Sequence, residues 1–333
     1  MTQRVLPIAL IAVGTIWLLN AVGFVPPSLA AALGRLWPLL LIGGGLDLLV
    51  PRYRPRNVPF VALAAGAIVV LALFWPAGAS RGDAEVHREL SPQTRRVTFD
   101  LDLGAHATHV APAASASTLV RASFAGEPVG RVDVRDGAEA SVRVRPERET
   151  FMTLGPRGRW ALEVPRAVPL DLAVDAGSGP VTLDLVGTQL ASLELDAGSG
   201  SVVLDLPGGG EPYAVDIDGG SGALEARVAP GASLDMRADL GSGAASVFVG
   251  EGSDARVVLR LGSGPLDLDL PDSAPIRLTV EDDGSGPLRL PSFLERRSGR
   301  GDTGVWESAS LRDGGRVIEV VLERVGSGRV TVR

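Results

Sequence analysis

Seven serines in one repeated setting are the first residues of this chain to invite a chemical reading. They sit in Gly-Ser-Gly triplets beginning at Gly177, Gly198, Gly220, Gly241, Gly262, Gly284 and Gly326. A serine nucleophile needs a base within hydrogen-bond reach, and the hydrolase elbow sets its glycines two residues to either side of the serine. None of the seven has that arrangement, because the glycines here are adjacent. The histidines, His87, His106 and His109, all precede the triplets. His106 and His109 stand three apart, which would suit a metal pair, but no third ligand accompanies them, so all three are expected at the surface.

A second pattern lies two residues before the triplets, where Asp175, Asp196, Asp218 and Asp239 are followed by Arg260 and then Asp282. If the repeats stack, these side chains form a column, and aligned carboxylates are hard-oxygen ligands for Ca²⁺. Asp in that place also caps a turn. Arg260 breaks the column, and the period is not the nonapeptide of Ca²⁺-binding β-rolls. Capping on a solvated face is therefore the expectation, with a cation site as its alternative. Gly208-Gly209-Gly210 is followed by an acid, and no Gly-x-x-x-x-Gly-Lys occurs, which argues against a phosphate loop. No catalytic, cofactor-binding or metal-ligating residue is expected, and no enzymatic activity.

The elements that carry these residues follow from spacing. The triplets recur at intervals of 21, 22, 21, 21, 22 and 42 residues, the last being two periods with a degenerate copy near Gly304. Fixed self-similarity of this length signals a solenoid, in which each repeat buries its apolar face against its neighbours. Around the first triplet Leu170, Leu172 and Val174 alternate with polar residues, and Val181, Leu183 and Leu185 do so after it. Period two means strands. Each repeat thus reads as strand, tight corner, strand and loop, with glycine at the corner because a sharp bend often needs positive φ. Residues 91–165 are β-patterned without the period and are expected to cap the stack. Residues 77–90 read as a linker.

Composition agrees with many short elements: 42 Gly, 24 Pro, 5% aromatic residues and no Cys among 333 residues. Arg4, Arg35, Arg52, Arg54 and Arg56 against Asp47 give residues 1–80 a charge of +4, so the total of −7 leaves −11 on the rest. An acidic β region without a basic stripe repels phosphate backbones and excludes nucleic acid as the expected partner. The absence of Cys removes thiol catalysis and disulfides, and says nothing of redox compartment.

Three apolar stretches, 5–25, 30–50 and 58–75, are each long enough to cross a hydrocarbon core, which needs about 20 helical residues. The expected fold is a membrane α-helical N-terminal region of three spans (1–76) joined to an all-β, single-stack β-solenoid of about 21-residue repeats (166–333). Arg52, Arg54 and Arg56 should hold the second loop in the cytoplasm, which places the C-terminal β domain outside; the inverse topology is the alternative.

Two regions carry a resemblance. Leu36-Trp37-Pro38-Leu39-Leu40-Leu41-Ile42-Gly43-Gly44-Gly45-Leu46, after a first stretch containing Trp17-Leu18-Leu19-Asn20, resembles the transmembrane region of LiaF-like and LiaI-like proteins. The segment from Trp160 through Asp175-Ala176-Gly177-Ser178-Gly179 and its successors resembles the toastrack β-solenoid domain. The resemblance implies a role in bacterial envelope-stress sensing through a membrane protein partner such as a sensor histidine kinase, and brings no catalytic residues or cofactors. Three spans depart from the four of some LiaF proteins, and a toastrack is sometimes cytoplasmic, so topology does not transfer. The rival expectation is an adhesin-like envelope scaffold, a homo-oligomer joined through solenoid edges such as the uncapped strand Arg329-Val330-Thr331-Val332.

Overall fold

The computed structural model of the protein describes residues 84–126, 130–146, 158–282, 284–313 and 315–333. The three apolar stretches lie outside the described residues. Everything described is β apart from turns and one short 3-10 helix, Ala309–Asp313. Seven strands precede the regular repeats: β1 (Ala84–Glu89), β2 (Arg96–Asp102), β3 (Ala107–Pro112), β4 (Thr118–Ala125), β5 (Gly130–Arg135), β6 (Glu139–Pro146) and β7 (Arg159–Val164). Five coils of two strands follow, β8 (Pro169–Asp175) with β9 (Val181–Asp184), β10 (Gln189–Asp196) with β11 (Val202–Leu206), and β12 (Tyr213–Gly219) with β13 (Leu224–Val228). The fourth and fifth are β14 (Ser233–Leu240) with β15 (Ala245–Val249), and β16 (Asp254–Leu261) with β17 (Leu266–Asp269). The last six are β18 (Ile276–Val280), β19 (Leu288–Arg289), β20 (Leu294–Arg300), β21 (Thr303–Ser308), β22 (Ile318–Arg324) and β23 (Val330–Val332).

The first strand of every coil joins a 12-stranded sheet and the second an 11-stranded one. Within the stack, successive coils pair parallel and in register, as Leu193 opposite Leu172 and Val215, and Leu204 opposite Leu183 and Ala226. Alternation then sends every second side chain inward, where Leu172, Leu193, Val215, Met236, Val257 and their counterparts form one buried cluster between the sheets. Each such aliphatic side chain contributes roughly 1.5–3 kcal/mol by burial. Stacked aliphatic columns supply the core with few aromatics.

Spatial order departs from chain order at both ends. Strands β2 and β3 form a coil that lies between β8/β9 and the later coil β6/β7. The expected cap 91–165 is thus two coils plus antiparallel strands: β4 against β7, β1 against β4, and β5 against β6. Residues 84–89, read as linker, are strand β1. At the other end, β22 pairs parallel with both β16 and β18, and β23 with both β17 and β19. The coil made by 318–332 therefore lies between two earlier coils.

Two expectations are corrected here. Val330-Thr331-Val332 is not a free edge, because β23 has a parallel partner on each side. Nor is there a corner near Gly304: the hairpin of β20 and β21 sets Gly304 opposite Gly299 and pairs antiparallel with β18. That hairpin uses the residues of the missing period, which is why the last interval doubles.

At the joint between the first coil and the regular repeats, Asp171 of β8 accepts hydrogen bonds from Arg96 Nη2 of β2 and Ser192 Oγ of β10, both at 2.7 Å. The Arg96 bond, supported by Ser192, holds the Asp171 carboxyl below the usual carboxylate range. A depressed folded value means that Asp171 adds stability which is complete above the ordinary pKa near 4 and is lost as pH falls through the lower folded value. Asp171→Asn is expected to flatten the acid limb of the stability profile below about pH 4. Urea midpoints across that range check this, and an unchanged limb would count against it.

Candidate functional site

The corners are the most regular surface of the molecule. The hypothesis that their glycines need positive φ holds for Gly177, Gly198 and Gly284, at 57°, 52° and 56°, but not for Gly220, Gly241, Gly262 or Gly326. All seven share something else. A Cβ on any of them would fall under 3.0 Å from a backbone oxygen of the adjacent corner, as Gly198 against Gly177 O and Gly241 against Gly220 O. The second glycine of each triplet does the same, as Gly222 against Gly200 O and Gly243 against Gly222 O. Two glycine columns therefore let the corners stack at strand spacing, about 4.8 Å.

Between those columns, Ser178, Ser199, Ser221, Ser242, Ser263, Ser327 and Ser285 stand exposed in one row. His87 and His109 are exposed, whereas His106 is buried, which corrects the expectation that all three lie at the surface. Its Nδ1 lies 3.0 Å from Leu103 O and its ring stacks on Trp160 with centroids 4.4 Å apart. His106 occupies the corner place of the first coil: Gly104-Ala105-His106 stands where later coils have Gly-Ser-Gly, with Ser178 N–H donating to Gly104 O. Sequence reasoning missed this coil because its triplet lacks both Ser and the second Gly. Asp102 two residues before Gly104 was the signal that could have found it.

The aspartates do form a column. Asp102, Asp175, Asp196, Asp218 and Asp239 are successive register partners on the 12-stranded sheet, followed by Arg260 and Arg324. Asp175, Asp196 and Asp282 cap their corners, each Oδ1 accepting the N–H of Gly177, Gly198 or Gly284 at 3.1, 3.2 and 3.1 Å. Among the described residues no group of three or more His, Asp or Glu is disposed to hold a metal ion. Gly208-Gly209-Gly210 forms an exposed turn between β11 and β12, with positive φ at Gly209 and Gly210.

Beside the column, Glu194 and Asp216 extend the acidic surface one residue pair further along the strands. Together with Asp196, Asp218 and Asp239 they line a shallow groove of about 410 Å³. Its far side is basic but paired: Arg260 meets Glu323 at 2.6 Å, and Arg237 meets Asp235 at 3.2 Å. Such a face attracts cationic groups and repels anions. Among the described residues that line it there is no nucleophile–base pair.

Comparison with curated proteins finds no match. A crystal structure of a "putative cell adhesion protein" from Clostridium sporogenes is similar at 14% identity, covering 75% of this chain and 98% of that one, with a TM-score of 0.37. Residues 4–49 match the family model described as the LiaI-LiaF-like transmembrane region, which takes in the first two apolar stretches and not the third. Residues 78–227 match that described as the N-terminal domain of toast_rack, a span that runs from before β1 into β13. The two resemblances named from the sequence are thus those the family models find: a LiaI-LiaF-like membrane region followed on the same chain by a toast_rack domain.

Proposed function

We propose that this chain is a non-enzymatic, membrane-anchored module of a bacterial envelope-stress response that acts by binding a membrane protein, such as a sensor histidine kinase. The observation that carries this reading is the joining of a LiaI-LiaF-like membrane region to a toast_rack domain on one chain. The β domain adds a long paired surface with an acidic groove. Three helical spans, 5–25, 30–50 and 58–75, sit in the lipid bilayer, and the Arg52-Tyr53-Arg54-Pro55-Arg56 loop stays cytoplasmic, which places the β domain outside.

Helix contacts within a bilayer depend on small residues that permit close approach, and Gly43, Gly44 and Gly45 supply them in the second span. Changing Gly43 and Gly44 to Leu is expected to leave the protein inserted but to abolish co-purification with the kinase from native membranes. Deleting residues 81–333 should preserve that association and remove the response to envelope-damaging agents. The reverse pattern, in which the β domain alone retrieves the partner and the glycine variant responds normally, would sink the division. A periplasm-dependent reporter fused after Ser80 tests the orientation, and silence there with an active cytoplasmic reporter would invert it.

A further inference from the structure

The coil formed by β22 and β23 occupies a slot whose two walls read alike. Ala255 and Ile276 both pair with Ile318, Val257 and Leu278 both with Val320, and Leu259 and Val280 both with Leu322. On the opposite sheet Leu266 and Leu288 both pair with Val330. The slot is therefore a parallel acceptor for one strand pair, in one register, on both sides.

The same walls also fit each other. Gly262 and Gly284 lie 22 residues apart, the interval that separates the directly stacked corners of Gly198 and Gly220. Residues 254–290 thus carry the spacing for two consecutive coils, and 318–332 enters between them as a separable insert. Its attachments on the outer face are few. Glu319 and Glu323 pair with Arg256 and Arg260 at 3.3 and 2.6 Å, and Arg316 Nη1 donates to Gly231 O and Gly252 O at 2.9 and 3.1 Å. Exposed pairs of this kind contribute little each. What holds the coil is the templated pairing of Ile318, Val320, Leu322, Val330 and Val332, and that pairing is indifferent to which molecule supplies the strand.

From this the geometry points to strand exchange: the slot is a binding site for residues 318–332 of a second copy, filled within one chain or reciprocally between two. Contacts in the exchanged dimer equal those in the single chain, so the balance between them is set by the tether and by local concentration.

The chain lacks cysteine, which makes a clean test available. Val258 and Val321 are register partners on the outer face of β16 and β22. Neighbouring strands lie about 4.8 Å apart, within the Cα separation a disulfide accepts. Full-length V258C and V321C, carrying different affinity tags, are co-expressed, and the membranes are oxidised. The expected result is a covalent dimer bearing both tags. The double variant V258C/V321C should close a disulfide within one chain, which reports that the slot is folded and oxidisable. Closure in the double variant without any two-tag dimer from the single variants would overturn the proposal. So would two-tag dimers in equal yield from V258C with T331C, whose positions lie on different sheets and meet only by collision.

Discussion

Replacing Gly243 with alanine is expected to destabilise the protein by more than about 4 kcal/mol, in the range reserved for steric failure of a packed core. Replacing Gly209 with alanine should cost only about 1–2 kcal/mol, the strain of a left-handed residue. The contrast separates two reasons for glycine. Gly209 has φ of +69° and nothing within 4 Å of the place a Cβ would take, so its demand is on the backbone angle alone. Gly243 lacks positive φ, and its added Cβ would fall under 3.0 Å from Gly222 O, which is held by the same stack. Moving that oxygen shifts the neighbouring coils with it. Urea unfolding of the purified variants, followed by β circular dichroism, reads the difference. Equal losses at the two sites would show that corner packing does not set the glycine requirement.

Removing residues 241–261 deletes one period and should leave a folded, soluble β domain. Leu240 then runs into the Gly262 corner, β14 takes the place of β16 against β22, and β17 moves against β13. Leu234, Met236 and Ala238 replace Ala255, Val257 and Leu259 opposite Ile318, Val320 and Leu322, so the inward columns stay apolar. The visible costs are the loss of the exposed Arg256–Glu319 and Arg260–Glu323 pairs and Asp235 placed opposite Glu319, a like-charge pair of about 0.2–1 kcal/mol. Removing residues 241–250 instead takes out one corner and β15. It leaves Glu251 to Ser253 to join β14 to β16, which are parallel neighbours. Three residues reach about 10 Å, whereas the return along an eight-residue strand is about 26 Å. The shorter deletion should therefore collapse the domain. Comparable folding of both variants by circular dichroism and gel filtration would contradict the stacking.

The parts of this fold that were legible in the sequence are those written in periodicity. Leu193 and Leu195, Val202 and Leu204 declare strands by alternation, and the 21-residue triplet declares that their coils stack. The pairing order was not legible at the ends. Register specifies that Val320 can sit beside Val257 or Leu278, and those two pairings look the same from the sequence. Chain order is then a poor guide to spatial order, and the free edge expected at Val330-Thr331-Val332 was a consequence of trusting it. The first coil was hidden for another reason: His106, stacked on Trp160, stands where later coils have the second glycine, and Ala105 stands in place of Ser. The aspartate column was visible as a column, but its work as corner caps depends on side-chain direction, which spacing does not contain.

The intercalated coil also has a consequence in time. The five regular coils, β8 to β17, can stack as the chain emerges, each upon the last, starting from the coil of β2 and β3. Strands β18 and β19 emerge next, but their final neighbour does not exist until residues 318–332 have been made. Synthesis at about 5–20 residues per second leaves an interval of roughly 2–8 s in which β18 and β19 are present without that neighbour. During that interval the 22-residue spacing of Gly262 and Gly284 permits direct contact between the fifth coil and the one after it. Where that contact forms, the incoming coil opens a closed seam rather than adding to an open end. Maturation at this end should accordingly be slower than elongation of the stack, and the delay belongs to the order of manufacture, not to any weakness in the contacts finally made.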